Sequence, residues 1–402
     1  MTSLPTSPRD LVARFTAVFT EVGRTTIARE QSRTLPFAEV ELLREAGFTR
    51  VTLPPRHGGD GATHAEFFEL LAELARRDPN IAQLFRSHFS YIDRALHSPD
   101  SPQREARLAR LADGAIVGNA SHERSSAKVG SLETQLTSSE ADATLRLNGT
   151  KFYSTGTLFA DLVGVAAEQD GEFVSVLVPT DAAGVERIDD WKGFGQRLTG
   201  SGTTVFTEVE VDPDAVTRRE LDRPSHAGAF VQLVLLAAVT GIGRAIVDDA
   251  GEFVRSRTRA YSHGSAPTAA ADPIVQEVVG DLSAKSFAAD AALAAAVAGL
   301  GRSSAAVLRD ALSDEVEQRV AEVELATTRA QLVILPSVLD AATALFEVGG
   351  ASAVETARGL DRHWRNARTL ASHNPARFKA RAVGDHVING TKIASWWSTG
   401  EA

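Results

Sequence analysis

The chain has 402 residues, of which 43 % are hydrophobic and 23 % charged, with a formal net charge of −10 at pH 7. That length and balance predict a globular protein of two or three lobes with a full core, and the acidic surplus argues against non-specific nucleic-acid binding. The sequence contains no cysteine, which excludes disulfides and thiolate metal sites.

The first segment, MTSLPTSPRDLVARF, lacks a basic stretch followed by an apolar one, so no signal peptide is expected and a cytoplasmic enzyme is the default reading. Up to about residue 112 the pattern is helical. Leu11, Phe15, Val18, Phe19 and Val22 recur at helical spacing, as do Phe37, Val40, Leu42 and Leu43 before Gly47. Phe67, Phe68, Leu71 and Leu74 form a third apolar face, and Pro79 opens a fourth helix. The loop LPPRHGGDGA (53–62) punctuates this region. A helical domain over 1–112 follows.

Residues 113–220 change character. AIVGNA, ATLRLNGTKF, DLVGVAA, EFVSVLVP and TTVFTEVEV alternate and are rich in β-branched residues, with Gly, Asp and Asn between them. This reads as a β-domain, a small barrel or sandwich. From 221 to 402 the chain turns helical again, with Ala/Leu/Val stretches at 226–260, 273–300, 303–334 and 337–348. Pro273 suits a helix start, and Gly349–Gly350 suit a helix stop. The longest apolar run, near Phe230 to Val239, is interrupted by Gln232 and reads as too short to span a bilayer. Long Ala-rich helices suit a tightly packed bundle.

Three segments share one resemblance. NGTKFYSTGTLFADLV (148–163), GFGQRLTGSGTTVFTEVEV (193–211) and FEVGGASAVETARGLDRHWRNAR (346–368) occur in the order, and on the element types, found in acyl-CoA dehydrogenases. The resemblance covers nearly the whole chain. It implies an α+β, acyl-CoA dehydrogenase-like fold with an N-terminal helical bundle, a central β-domain and a C-terminal four-helix bundle. Where dehydrogenases carry a catalytic carboxylate, this sequence reads Ala371-Ser372-His373-Asn374-Pro375. That stretch, with GNASHE (118–123) and DDWKGFGQRLTGSG (189–202), resembles the two-component flavin monooxygenases of the dibenzothiophene-desulfurisation type and their alkyl-sulfone and amine-oxidising relatives.

The departure has chemical content. Dehydrogenation needs a base beside the thioester. A monooxygenase must instead protect a flavin C4a-(hydro)peroxide with hydrogen-bond donors in a dry site, and imidazole suits that task near neutral pH. The resemblance implies catalytic roles for His373, over the flavin ring, for Ser154, aimed at flavin N5, and for His88, facing the same pocket from the first bundle. It implies flavin-binding roles for Asn119, Ser121, Ser154, Trp191 and Ser201. Arg257 and Arg259 would reach a neighbouring subunit's flavin phosphate, and Gly350 and Ser352 would approach the same phosphate.

FMN, in its reduced form, is the expected cofactor, with FAD the alternative. His122-Glu123 lacks the second histidine of a zinc-protease motif, so no metal is expected. GIGRAI (241–246) lies within a helical stretch rather than after a strand, so no nicotinamide-binding domain is expected. A separate NAD(P)H-dependent flavin reductase would then supply reduced flavin. The expected reaction is oxygenation of a sulfur- or nitrogen-containing small molecule by a homotetramer, without nucleic acid or membrane. The alternatives are an acyl-CoA dehydrogenase or oxidase using FAD, with Glu347 or Glu355 as base, an amine N-hydroxylase, and a flavin-free scaffold.

Overall fold

The computed structural model describes residues 8–124, 131–138, 144–218, 223–258 and 262–394. Helices α1 (Pro8–Gly23), α2 (Thr26–Ser32), α3 (Phe37–Glu45), α4 (His64–Arg77), α5 (Pro79–Leu84), α6 (Arg86–Leu96) and α7 (Pro102–Ala112) come first. Their apolar faces meet in an aromatic core. Phe48 stands edge-on to Phe15, Phe85 and Phe89 at 5.6, 5.8 and 5.4 Å. Burying each such ring contributes about 1.5–3 kcal/mol. Local signals set the boundaries. Thr63 and Glu66 form a reciprocal capping box at the start of α4, and Asp78 caps the N-terminus of α5, where Pro79 occupies the first turn. The fourth predicted helix is two helices, α5 and α6, with Phe85 between them.

The strands are β1 (Val117–Ala120), β2 (Gln135–Ser138), β3 (Leu145–Lys151), β4 (Leu162–Gln169), β5 (Glu172–Pro179), β6 (Val185–Ile188), β7 (Thr203–Val211) and β8 (Val216–Arg218). Among the described residues they form one mixed sheet in the order β6-β7-β3-β2-β4-β5-β8, with β1 parallel to β4. The β-domain expected for 113–220 is thus joined by strand pairing into one sheet. Strand alternation fixes which side chains share a face, and it cannot distinguish one sheet from two. The sheet has its own core around Leu147, Val163, Val165, Val176 and Phe206.

The C-terminal part is built on α8 (Ala227–Ser256), α9 (Pro273–Arg309) and α10 (Asp314–Ala344), with the shorter α11 (Asp361–Ala371) and α12 (Ala376–Asn389) packed on α10. The long helices do not break where the apolar stretches predict. α9 runs on through Gly299 and Gly301, the turn falls at 310–313, and Pro336 lies inside α10. By length and composition, α8, α9 and α10 are each long and apolar enough to cross a membrane, which corrects the reading of the Phe230–Val239 run as too short. The run was measured alone, whereas it lies within a 30-residue helix. α8 buries 78 % of its most apolar window inside the fold, against α4, α9 and α10.

The turn after β3 presses on the α5–α6 junction. Gly156 has φ +79°, and a Cβ there would lie 2.3 Å from the Leu84 carbonyl oxygen. Gly156→Ala should therefore lower stability by at least about 2 kcal/mol, through backbone strain and the clash together. A melting temperature within 1 °C of the parent's, by calorimetry, would contradict this placement of the turn.

Candidate active site

Beyond β3 the backbone is held in an unusual path. Tyr153 has φ +57°, a conformation rare for a non-glycine residue. The Ser154 N–H donates to Gly202 O and the Gly156 N–H to Thr199 O, both at 2.9 Å, which ties this turn to the loop before β7. Ser154 is only 1 % exposed, and among the described residues its hydroxyl has no hydrogen-bond partner. Leaving a buried hydroxyl unsatisfied costs about 1–3 kcal/mol, a cost that a bound acceptor removes. Beside it, the Ser201 hydroxyl lies 2.7 Å from both the Thr155 and Thr199 hydroxyls. Trp191 donates its indole N–H to Gln196 O at 2.9 Å and stands edge-on to Tyr153 at 5.9 Å. Gln196 is buried, and neither atom of its side-chain amide has a partner.

His373 follows the last turn of α11. Its Nε2 accepts a hydrogen bond from Arg86 Nη1 at 2.9 Å. The residue is exposed to solvent beside Arg86 of α6. Desolvation of the ring, with the Arg86 guanidinium and the nearby His122 ring, pushes its pKa down to about 3, against a hydrogen bond with the Asn374 side chain. His373 is therefore neutral at physiological pH, and because Nε2 accepts, its proton sits on Nδ1. His122 in turn packs 5.2 Å from the Tyr153 ring. The structure thus brings His122, Tyr153, Ser154, Trp191 and Ser201 into one connected set, and the His122 ring is near enough to His373 to act on it electrostatically.

His88 does not join them. It is fully buried; its Nε2 donates to Thr49 O at 2.5 Å and its Nδ1 accepts from Val117 N at 3.3 Å. With both nitrogens engaged by backbone, it ties α6 to β1. Two positions earlier in the same RSHFSYID stretch, Arg86 bonds His373, and the boundary between α5 and α6 at Phe85 is not visible in periodicity.

Burial pushes His88 down to about 4, despite the bond to Thr49. A folded-state value below the unfolded one means that the unfolded chain takes up the proton first. Stability is then full above about pH 6.5 and falls as pH drops toward 4, by about 3 kcal/mol for this group. Denaturant unfolding at pH 8, 6 and 4.5 should show the decline, and His88→Gln should flatten it. An unchanged slope in that variant would exclude His88 as its source.

Asn119 lies within β1 rather than after it. Its N–H donates to Thr157 Oγ1 at 3.0 Å, and its Oδ1 accepts from the Ser121 hydroxyl at 2.8 Å. The neighbouring Glu123 is a structural anchor. Burial raises its carboxyl, but Lys151, Thr134 and the Glu133 N–H outweigh that and hold it down to about 2; the buried Lys151 ammonium lies 2.5 Å away.

A second group lies at the far end of the bundle. Arg257 Nη1 donates to Val348 O at 2.8 Å, and the Ser352 hydroxyl donates to Gly349 O at 3.1 Å. Gly350 is exposed with φ +57°. Arg259 lies outside the described residues. Glu347 and Glu355, the alternative bases, are both exposed on this surface, and Glu355 pairs with Arg358 at 3.7 Å.

The frame around the site is polar and buried. Glu30 Oε1 accepts from Asn80 Nδ2 at 2.8 Å and from Asn366 Nδ2 at 2.9 Å, and its backbone O accepts from Arg197 at 2.9 Å. Asn366 Oδ1 then accepts from Gln196 N at 2.6 Å. A cleft of about 410 Å³ opens beside this junction, but it is lined by Arg197, Arg362 and Arg365 rather than by Ser154 or His373, and all three arginines are engaged within the fold. Elsewhere, donor atoms of Asp93, His97 and His226 lie within 4.8 Å of one another. His97 is bonded to Asp93 O and Ser304, and His226 to Ser303 and Asp93, so the cluster already works as a hydrogen-bonded tie between helices.

A flavin, the group the resemblance implies, fits the first set: a buried hydroxyl without a partner among the described residues, an unsatisfied amide in the facing loop and aromatic walls, with a neutral imidazole nearby. Comparison with known proteins agrees. The family model for the acyl-CoA dehydrogenase C-terminal domain matches residues 233–378. The chain is 33 % identical to a dibenzothiophene monooxygenase of Mycolicibacterium goodii, over 91 % of this chain and 90 % of that one. It is 25 % identical to a probable FMNH2-dependent monooxygenase, SfnC, of Pseudomonas putida, over 97 % of both. The FMN-bound structure of TdsC from Paenibacillus sp. A11-2 superimposes with a TM-score of 0.87 at 26 % identity, covering 96 % of this chain and 98 % of that one. The expected order of helical bundle, sheet and helical bundle, and the departure from a dehydrogenase at residues 371–375, thus have one explanation: the chain belongs to the flavin-dependent monooxygenases built on the acyl-CoA dehydrogenase fold.

Proposed function

We propose that this protein holds FMN against the turn after β3 and, with the flavin reduced, transfers one oxygen atom of O2 to the sulfur of a small organosulfur compound. The observation that carries this reading is the buried Ser154 hydroxyl, without a hydrogen-bond partner among the described residues, next to the Tyr153 ring that packs on His122. Bound reduced FMN supplies the two electrons that leave one oxygen atom for the substrate and one for water.

The chain's own residues position and protect. Ser154 donates to the flavin's ring edge. His373 keeps a proton on Nδ1 for the reacting oxygen, and Arg86 fixes that tautomer by donating to Nε2. Tyr153 and Trp191 wall off water. Asn119, Ser121 and Ser201 bind the flavin from the sheet side. Arg257, Arg259, Gly350 and Ser352 serve the phosphate of a neighbouring subunit's FMN. The homotetramer this requires is supported by exposed apolar side chains on α9 (Ile274, Phe287 and Leu308) that suit burial against another copy.

FMN is favoured over FAD because TdsC holds FMN. Sulfur is favoured over nitrogen by the dibenzothiophene monooxygenase relatives. GIGRAI (241–246) lies inside α8, where no phosphate-binding turn can form, so a separate NAD(P)H-dependent reductase supplies reduced flavin, in the cytoplasm, where its nucleotide is found. The test is turnover of a thioether with chemically reduced FMN under 18O2. The product should gain one 18O atom per molecule; a product without label would exclude oxygen transfer.

A further inference from the structure

Arg86 is unusual among the charged groups of the pocket because it has no carboxylate. Its Nε donates to Val231 O at 3.1 Å, and its Nη1 donates to His373 at 2.9 Å. Among the described residues no ion pair reaches it, whereas other arginines of the fold are paired, such as Arg29 with Asp78 and Arg244 with Glu73. Its pKa reflects this isolation. Desolvation alone lowers it, to about 10, with no acidic neighbour pulling it back, and the group still carries its charge at neutral pH. The side chain is half-buried, and a guanidinium partly removed from water without a counter-charge is disfavoured. A cation of this kind fits a site whose anion arrives with the ligand.

The geometry says where that anion would sit. The two bonds above use one edge of the guanidinium and one Nη1 proton, leaving Nη2 for a ligand. The planar fork suits a two-oxygen anion, which it can grip through parallel bonds. The neighbouring imidazole is neutral, so it neither competes for the anion nor repels it. The anchor lies one hydrogen bond from the residue assigned to the reacting oxygen.

We propose that Arg86 anchors an oxyanion on the substrate, a sulfinate or carboxylate, and so selects small anionic organosulfur compounds over neutral polyaromatic thioethers. The inference rests on the oxygenase reading for the identity of the pocket. It does not depend on turnover, because an anchor is read by binding.

The test is calorimetric titration of the FMN-loaded protein with benzenesulfinate, benzoate and the neutral thioanisole. The two anions should bind at least tenfold more tightly than thioanisole, and the stronger of them identifies the headgroup. Arg86→Gln should weaken the anions at least tenfold and leave thioanisole within threefold, while Arg86→Lys should retain part of the anion affinity. Thioanisole binding as tightly as the anions to the parent protein would overturn the proposal without any variant. So would Arg86→Gln that weakens FMN while leaving benzenesulfinate unchanged, since the guanidinium would then serve the flavin. Anion binding that survives in a protein unable to bind FMN would support the anchor while removing the flavin reading.

Discussion

Replacing His373 with alanine should lower product formed per reduced flavin by about 10²-fold or more, while FMN affinity stays within a few-fold. The expectation follows from position. The ring touches Arg86 and lies near His122 and Asn374, and none of the turn that carries Ser154 depends on it for support. Its depressed pKa adds a second prediction within the first. Between pH 6 and 9 the imidazole stays neutral, so product yield should show no limb from its titration in that range. Peroxide release should rise as product falls, because the reducing equivalents still reach oxygen. The measurement is product and peroxide yield in single-turnover reactions with a fixed amount of reduced FMN. Equal product from parent and variant would remove His373 from the chemistry.

Glu30→Ala should cost about 3–5 kcal/mol of stability and weaken FMN binding together. Glu30 is 2 % exposed and receives hydrogen bonds from Asn80 on α5, Asn366 on α11 and Arg365, the last at 3.2 Å. Asn80 Oδ1 and Asn366 Oδ1 accept in turn from Leu198 N and Gln196 N, in the loop that holds Ser201. Removing the carboxylate takes an acceptor from all three and leaves the buried Asn366 amide N–H without its acceptor, while Asn80 keeps Asp78 and Arg365 keeps Asp361 and Phe194 O. It also frees the loop facing Ser154. Glu30→Gln keeps the shape and should cost less. Denaturant unfolding and FMN fluorescence titration on the same samples would check both effects; a destabilised variant with parental FMN affinity would show that the junction does not position the site.

The sequence carried the order of the elements well, because its three diagnostic segments fall on β3, the loop into β7, and the Gly349–Gly350 stretch with α11. Ser154 and Ser201 could be chosen from those segments, and Trp191 and His373 from the narrower stretches 189–202 and 371–375. What the sequence hid were relations between segments. His88 and Arg86 lie two residues apart on one helix, yet His88 bonds backbone at Thr49 and Val117 while Arg86 bonds His373. His122 was weighed as a metal ligand, yet its packing against Tyr153 depends on pairing across the sheet. Glu30 and Asn366 carry no local signal at all, since a junction between α2, α5 and α11 exists only after folding. Pro336 lies between the predicted stretches 303–334 and 337–348, yet it sits inside α10, where packing against α8 and α9 overrides the single hydrogen bond it removes.

The most direct test of the central claim is stopped-flow absorbance of the protein loaded anaerobically with reduced FMN, and separately with reduced FAD, then mixed with O2. The account predicts, with FMN, a transient absorbing species that is neither reduced nor oxidised flavin, long-lived enough to be resolved before oxidised FMN accumulates. Featureless reoxidation with both flavins, at the rate of free flavin in solution, would contradict it.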